Sequence, residues 1–226
     1  MTVGPHAMQK YPGVEAALDA IPLFPLAQVV LFPGGLLPLH IFEPRYRAML
    51  ADALRTHGAI AMVRLREGAE PGDDGLAPIE NVAGGGVVLE HQPLPNGRSN
   101  VILLGQARLE LEELPFEGPY RRARARVVTE RGPLASEEDA LALHQAIGRL
   151  VKAVRRRDAG FHFETPEGLG AAAVADLAAH HLIVSPHTRQ LLLANPAPRE
   201  RVRLVTAELM GQTAGLEHVS AGGTLH

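Results

Sequence analysis

Cysteine and tryptophan are both absent from the 226 residues, and lysine occurs only at Lys10 and Lys152. The missing thiols exclude disulfides, thiolate nucleophiles and cysteine-based zinc sites, and are compatible with a reducing compartment. Aromatic residues make up 4% of the chain, so the core has to be built from Leu, Val, Ala and Ile. No charge of one sign dominates. The formal net charge of -3 gives no global attraction to nucleic acid or to an anionic membrane. Long apolar runs are missing as well. The most apolar window, residues 21–42, is broken by Pro22, Pro25, Pro33 and Pro38 and by Gly34-Gly35, whereas a membrane helix needs about 20 predominantly apolar residues. Residues 1–13 have neither the basic start nor the apolar stretch of a signal peptide, so the expected location is the cytoplasm.

What the sequence does contain is an ordinary globular balance, 46% apolar and 21% charged, enough for one large domain or two small ones. The densest folding signal lies at residues 21–47. An apolar β run over 24–32, interrupted by Pro25, meets a Pro33-Gly34-Gly35 turn and a second apolar run over 36–42. Pro44 then suits the first turn of a helix, where its missing N–H is not needed. Tyr46, Met49, Leu50, Ala53 and Leu54 share one helical face, and Gly58 is a natural stop.

Further on, residues 59–65 and 79–92 predict strands, with Gly84-Gly85-Gly86 marking a bulge or a close backbone approach. Pro95-Asn96-Gly97 is a hairpin signal, because Asn-Gly supplies the positive φ of a type I′ turn. Residues 101–104 and 108–114, split by Gly105, continue the sheet, and 120–130 alternates Arg122, Arg124 and Arg126 with Ala123, Ala125 and Val127. Character changes at Arg131-Gly132-Pro133. Ser136 followed by three acidic residues is a helix start. Four helices are expected, over about 137–157, 167–184, 186–195 and 198–210.

The stretch "IPLFPLAQVVLFPGGLLPLHIFEPRYR" resembles the opening of the Lon protease N-terminal (substrate-binding) domain. Residues 81–111, with their glycine-introduced strand and Asn-Gly-Arg hairpin, resemble its middle, and residues 175–205 its helical end. Three pieces in collinear order cover roughly residues 21–210. The resemblance implies an α+β fold: a PUA-like β-barrel of about six strands with one early helix over 21–131, then a helical subdomain of about four helices over 132–211. A flexible arm at 1–20 and a disordered tail at 212–226 complete the expectation. It further implies a non-catalytic, stand-alone module without the ATPase and protease parts. Such a module recognises unfolded or apolar polypeptide segments, with an ATP-dependent protease as a partner.

The residues agree with a non-enzyme. A P-loop needs Gly-Lys, which never occurs. A Ser–Lys dyad needs a buried neutral lysine, and neither lysine sits in such a motif with Ser99, Ser136 or Ser185. Gly168-x-Gly170-x-x-Ala173 follows a loop rather than a strand, so it reads as small residues for helix packing. His180, His181 and His187 lack metal-ligand spacing, and no cofactor is implied. Peptide-binding candidates are Phe42, Tyr46, Leu37 and His40, the aromatics because they give large contact area at low entropic cost. A His40–Glu43 hydrolase pair is a weaker alternative without a third partner. Arg121, Arg122, Arg124 and Arg126 are the candidate contact for RNA or another polyanion. The competing expectation is cross-strand pairing with Glu110, Glu112 and Glu113. Nucleic acid and membrane are not expected partners.

Overall fold

Six apolar segments become strands: β1 (Ile21–Leu26), β2 (Leu36–Ile41), β3 (Ala59–Arg64), β4 (Val82–Pro93), β5 (Ser99–Glu113) and β6 (Arg122–Val127). They form one sheet in the order β2-β5-β4-β3-β1-β6, in a computed structural model that describes residues 10–68, 70–72 and 75–222. β6 also pairs with β5, so five strands close into a ring and β2 hangs on β5 alone, leaving its other side a sheet edge. Only β1 and β3 run parallel. Two compact units divide between Val128 and Thr129. Among the described residues no helix is long and apolar enough to cross a membrane.

The first helix, α1 (Pro44–Arg55), starts at Pro44 as its sequence requires and buries Tyr46, Met49, Leu50 and Ala53. Gly58, at φ 69°, turns the chain into β3. Residues 29–32 depart from expectation. β1 stops at Leu26, and Val30, Leu31 and Phe32 are buried without strand pairing. They cross over the glycines of β4 and β5 instead. A β-carbon on Gly84 would lie 1.9 Å from the Leu31 carbonyl oxygen, and one on Gly105 would lie 2.0 Å from that of Phe32. The triple glycine is therefore a close backbone approach, accompanied by register shifts at Gly85/Gly86 and Val88/Glu90. For the same reason Gly105 does not divide β5, which runs unbroken for 15 residues. Asn96 (φ 63°) and Gly97 (φ 70°) make the left-handed turn between β4 and β5.

Residues 1–9 of the expected N-terminal arm lie outside the described residues. The rest is packed, not loose. Val14–Ala17 is a short 3-10 helix that buries Val14 and Ala17, and the Val14 N–H donates to Gln106 Oε1 at 2.9 Å.

The second unit holds α2 (Glu137–Arg155), α3 (Ala171–Leu182), α4 (Pro186–Ala194) and α5 (Pro198–Gly222). Ser136 and Asp139 close a reciprocal capping box at the start of α2. α3 begins later than residue 167, because Gly168 takes φ 79° and Gly170 is its N-cap. α5 extends past the expected stop near residue 210 and through most of the expected disordered tail, to Gly222; residues 223–226 lie outside the described residues. Buried Val202, Val205, Leu209 and Thr213 continue one stripe across Gly211 and Gly215, and the Thr213 hydroxyl donates to the Leu209 carbonyl at 2.7 Å. Arg201, 1% exposed, sits in this unit between Asp176 and Glu130.

Candidate functional site

Strand register decides which side chains meet on the outer face of β2, β5 and β4. His40 stands opposite Asn100, and Asn100 opposite Gln92. Side chains at such positions point to one face, and here they link. His40 Nδ1 lies 2.8 Å from Asn100 Oδ1, and Asn100 Nδ2 donates to Gln92 Oε1 at 3.3 Å. Because the Asn100 nitrogen is spent on Gln92, its oxygen is the acceptor, which puts the His40 proton on Nδ1 and leaves Nε2 as an acceptor. Two residues beyond His40, Phe42 continues the stripe: its ring stacks on the imidazole at 6.0 Å and 24°, and it is 58% exposed. An open cavity of about 580 Å³ lies on this face, lined by His40, Asn100 and Gln92 with Pro38, Ile102 and Glu90, and Phe42 adjoins it through His40. The result is an aromatic and aliphatic strip beside a row of amides, with hydrogen-bond donors and acceptors both on offer.

The other two peptide-binding candidates do not join this surface. Tyr46 is 6% exposed; its ring packs on Phe24 at 4.2 Å under the Arg45 guanidinium, and burial raises its hydroxyl pKa. Leu37 points the opposite way from His40 and packs half-buried against the barrel core. His40 and Glu43 are not brought together, since Glu43 accepts from Arg45 Nε at 3.0 Å.

The arginine strand is mostly neutralised. Arg124 stands opposite Glu112 and Arg126 opposite Glu110, with ion-pair distances of 3.4 and 3.8 Å. Arg121 points away from that face, gripping Glu113 through two bonds of 2.5 and 2.6 Å and the Ala77 carbonyl at 2.7 Å. Arg122 alone of the four faces a second concavity, with Asp52 and Tyr120. In the helical unit His180 and His181 meet edge to face at 4.6 Å, and burial lowers the pKa of His181. Among the described residues no three His, Asp or Glu side chains are grouped to hold a metal.

Sequence reasoning missed Asn100, Gln92 and Ile102 on the first surface, and Asp52 and Tyr120 on the second. Each is an ordinary polar or apolar residue on its own, and only the strand register or a contact 68 residues away selects it.

Comparison with known proteins agrees with this architecture. The chain is 29% identical over 206 residues to the Lon protease of Anaeromyxobacter dehalogenans, a match covering 90% of this chain and 24% of that protein. It is likewise 29% identical over 201 residues to the Lon protease of Roseiflexus castenholzii, covering 84% of this chain and 24% of the relative. The chain thus spans about a quarter of the length of these curated relatives. Among solved structures, the Lon N-terminal domain protein from Xanthomonas campestris superposes with a TM-score of 0.62 at 19% identity, covering 84% of this chain and 98% of that one. The N-terminal domain of the Mycobacterium avium complex Lon protease gives 0.63 at 16% identity, with the same coverage. At those identities the structures speak for the fold alone. The family profile described as the ATP-dependent protease La (LON) substrate-binding domain matches residues 20–210. The chain belongs to that family.

Proposed function

We propose that the chain is a substrate-recognition module that holds exposed, apolar segments of unfolded polypeptide and presents them to an ATP-dependent protease. The observation that carries this reading is Phe42, a large aromatic left 58% exposed and stacked on His40 beside an open cavity of about 580 Å³. An aromatic held by a neighbour supplies contact area with little rotamer entropy left to lose. Phe42, Pro38 and Ile102 would take apolar side chains, while Asn100, Gln92 and His40 would bond the peptide's own N–H and C=O groups. Pro38 lies in β2, the edge strand, and has no N–H to offer an added strand. Side-chain capture therefore fits this surface better than extension of the sheet. The family's description as a substrate-binding domain supports the same reading. The role is binding: His40 is committed to Asn100 and Glu43 to Arg45, so no acid–base pair is assembled there.

The test is a titration against fluorescently labelled, reduced casein at low and high salt. Wild type should bind with little salt dependence, and Phe42→Ala should weaken binding about tenfold, as loss of an aromatic anchor typically does. Circular dichroism would check that the fold is kept. Equal affinity for wild type and Phe42→Ala would remove this surface from the site, and no binding at all would sink the reading.

A further inference from the structure

A second cavity, of about 450 Å³, opens between the C-terminal end of α1 and the start of β6, away from the His40 surface. Asp52, Arg55, His57, Tyr120 and Arg122 line it above small apolar residues. Its hydrogen-bonding capacity is lopsided. The one carboxylate is already taken: Asp52 Oδ2 accepts from the Tyr120 hydroxyl at 2.6 Å, and Oδ1 accepts from Arg55. Two of the helix-end carbonyls are taken as well. Ala53 O accepts from the Thr56 and Gly58 N–H groups at 3.1 and 2.7 Å, and Asp52 O from the Thr56 hydroxyl at 2.8 Å.

Donors, by contrast, are left over. Among the described residues no carboxylate forms an ion pair with Arg122, although Asp52 is close enough to feel its charge. His57 Nδ1 accepts from the Ala59 N–H at 2.9 Å, so the neutral ring carries its proton on Nε2. Burial lowers the pKa of this imidazole and keeps it in that neutral form near pH 7. Two arginines against one aspartate give the lining a net charge of +1. Neither Asp52 nor Tyr120 is poised for proton transfer near neutrality. The Tyr120 hydrogen bond holds the Asp52 carboxyl below its usual range, and the phenol is pushed up to about 12.

We propose that this cavity binds a small ligand carrying a carboxylate or phosphate group, gripped by Arg122 with His57 Nε2–H as second donor. The volume suits a metabolite-sized molecule, and the small apolar residues leave room for the rest of it. Arg122 belongs to a strand whose other outward arginines face glutamates, so the binding centre is this pocket and not the strand as a whole.

The experiment is calorimetric titration of the full chain at low salt with inorganic phosphate and, separately, citrate, comparing wild type with Arg122→Gln, Arg122→Lys and Arg124→Gln. Saturable one-site binding is expected. Arg122→Gln should weaken it at least tenfold, Arg122→Lys should restore part of the loss, and Arg124→Gln should leave it unchanged. Preference for phosphate or for citrate assigns the oxyanion. The proposal is overturned if neither probe saturates, if Arg122→Gln binds as wild type does, or if Arg124→Gln loses as much. This site shares no residue with the Phe42 surface, so failure of either reading leaves the other standing.

Discussion

Gly84 and Leu31 cross so closely that a β-carbon on the glycine would meet the leucine's carbonyl oxygen at 1.9 Å. A carbonyl cannot swing aside as the tip of a side chain can, so segment 29–32 would have to leave its place in the core. Gly84→Ala should therefore destabilise the barrel by about 3 kcal/mol, the upper range for overpacking. Gly118→Ala meets nothing within 4 Å and should stay within about 0.5 kcal/mol of wild type. Urea unfolding midpoints of the two variants check this; equal midpoints would refute the crossing.

Arg201 is the largest fully buried side chain in the helical unit, with Asp176 at 3.4 Å, Glu130, and the Asn195 carbonyl at 3.1 Å as partners. Arg201→Ala leaves the buried Asp176 without its guanidinium and should cost about 3–5 kcal/mol. Replacing both members with apolar residues, Arg201→Met with Asp176→Leu, should recover most of that loss. Thermal unfolding of the single and double variants measures the difference; a double variant as unstable as the single one would contradict it.

Asp139 accepts from Arg203, from the Ser136 backbone and hydroxyl, and from Arg199, and these bonds hold its carboxyl well below the usual range. A carboxyl depressed in the folded chain contributes stability that is complete above its unfolded pKa, about 3.9. That contribution is lost as pH falls through the lower folded value. Asp139→Asn should lower stability at neutral pH and flatten its acid dependence. Fluorescence is of little use without tryptophan, so helical circular dichroism against pH is the readout.

The Tyr120 phenol is pushed up to about 12, by burial first and then by its bond to Asp52. A phenol raised above its unfolded value of about 10 contributes stability that is complete below that pH. The contribution fades as pH rises through 12. Near-ultraviolet absorbance should show late-ionising tyrosines, of which Tyr120→Phe removes one and leaves the buried Tyr46; a variant that instead loses amplitude near pH ~10 would put the Tyr120 phenol in water.

Local chemistry was legible and long-range geometry was not. Pro44, Gly58 and Ser136 with its acidic first turn each mark a helix end by their own backbone or side-chain demands, and the structure uses all of them so. The alternation at 122–126 likewise announced its glutamate partners. Residues 29–32 read as a strand because buried apolar residues look alike whether they pair or merely cross, and nothing near Gly84 names the segment lying on it. Gly211 and Gly215 read as a helix end until tertiary burial of Leu209 and Thr213 overrode their weak propensity. Tyr46 looked like a binding aromatic by type, yet its spacing with Met49 and Leu50 had already placed it on the buried face. Asn100 and Gln92 carry no local mark at all; a one-residue slip in register would have chosen others.

β5 takes β2 and β4 along its first half and β4 and β6 along its second. The β4–β5 hairpin and the β5–β6 pairing each join consecutive strands, closing first at Pro93–Ser99 and at Glu113–Ala123, whereas His40 reaches Asn100 across 60 residues. Loop-closure entropy has to be met before such distant contacts reward it, so the hairpin is the expected folding nucleus and β2 a late arrival. Leu103→Ala, in the hairpin, should slow folding, while Leu37→Ala, in β2, should chiefly speed unfolding. An assembly order of this kind lets the strand bearing His40 and leading to Phe42 change over generations without slowing the formation of the barrel behind it.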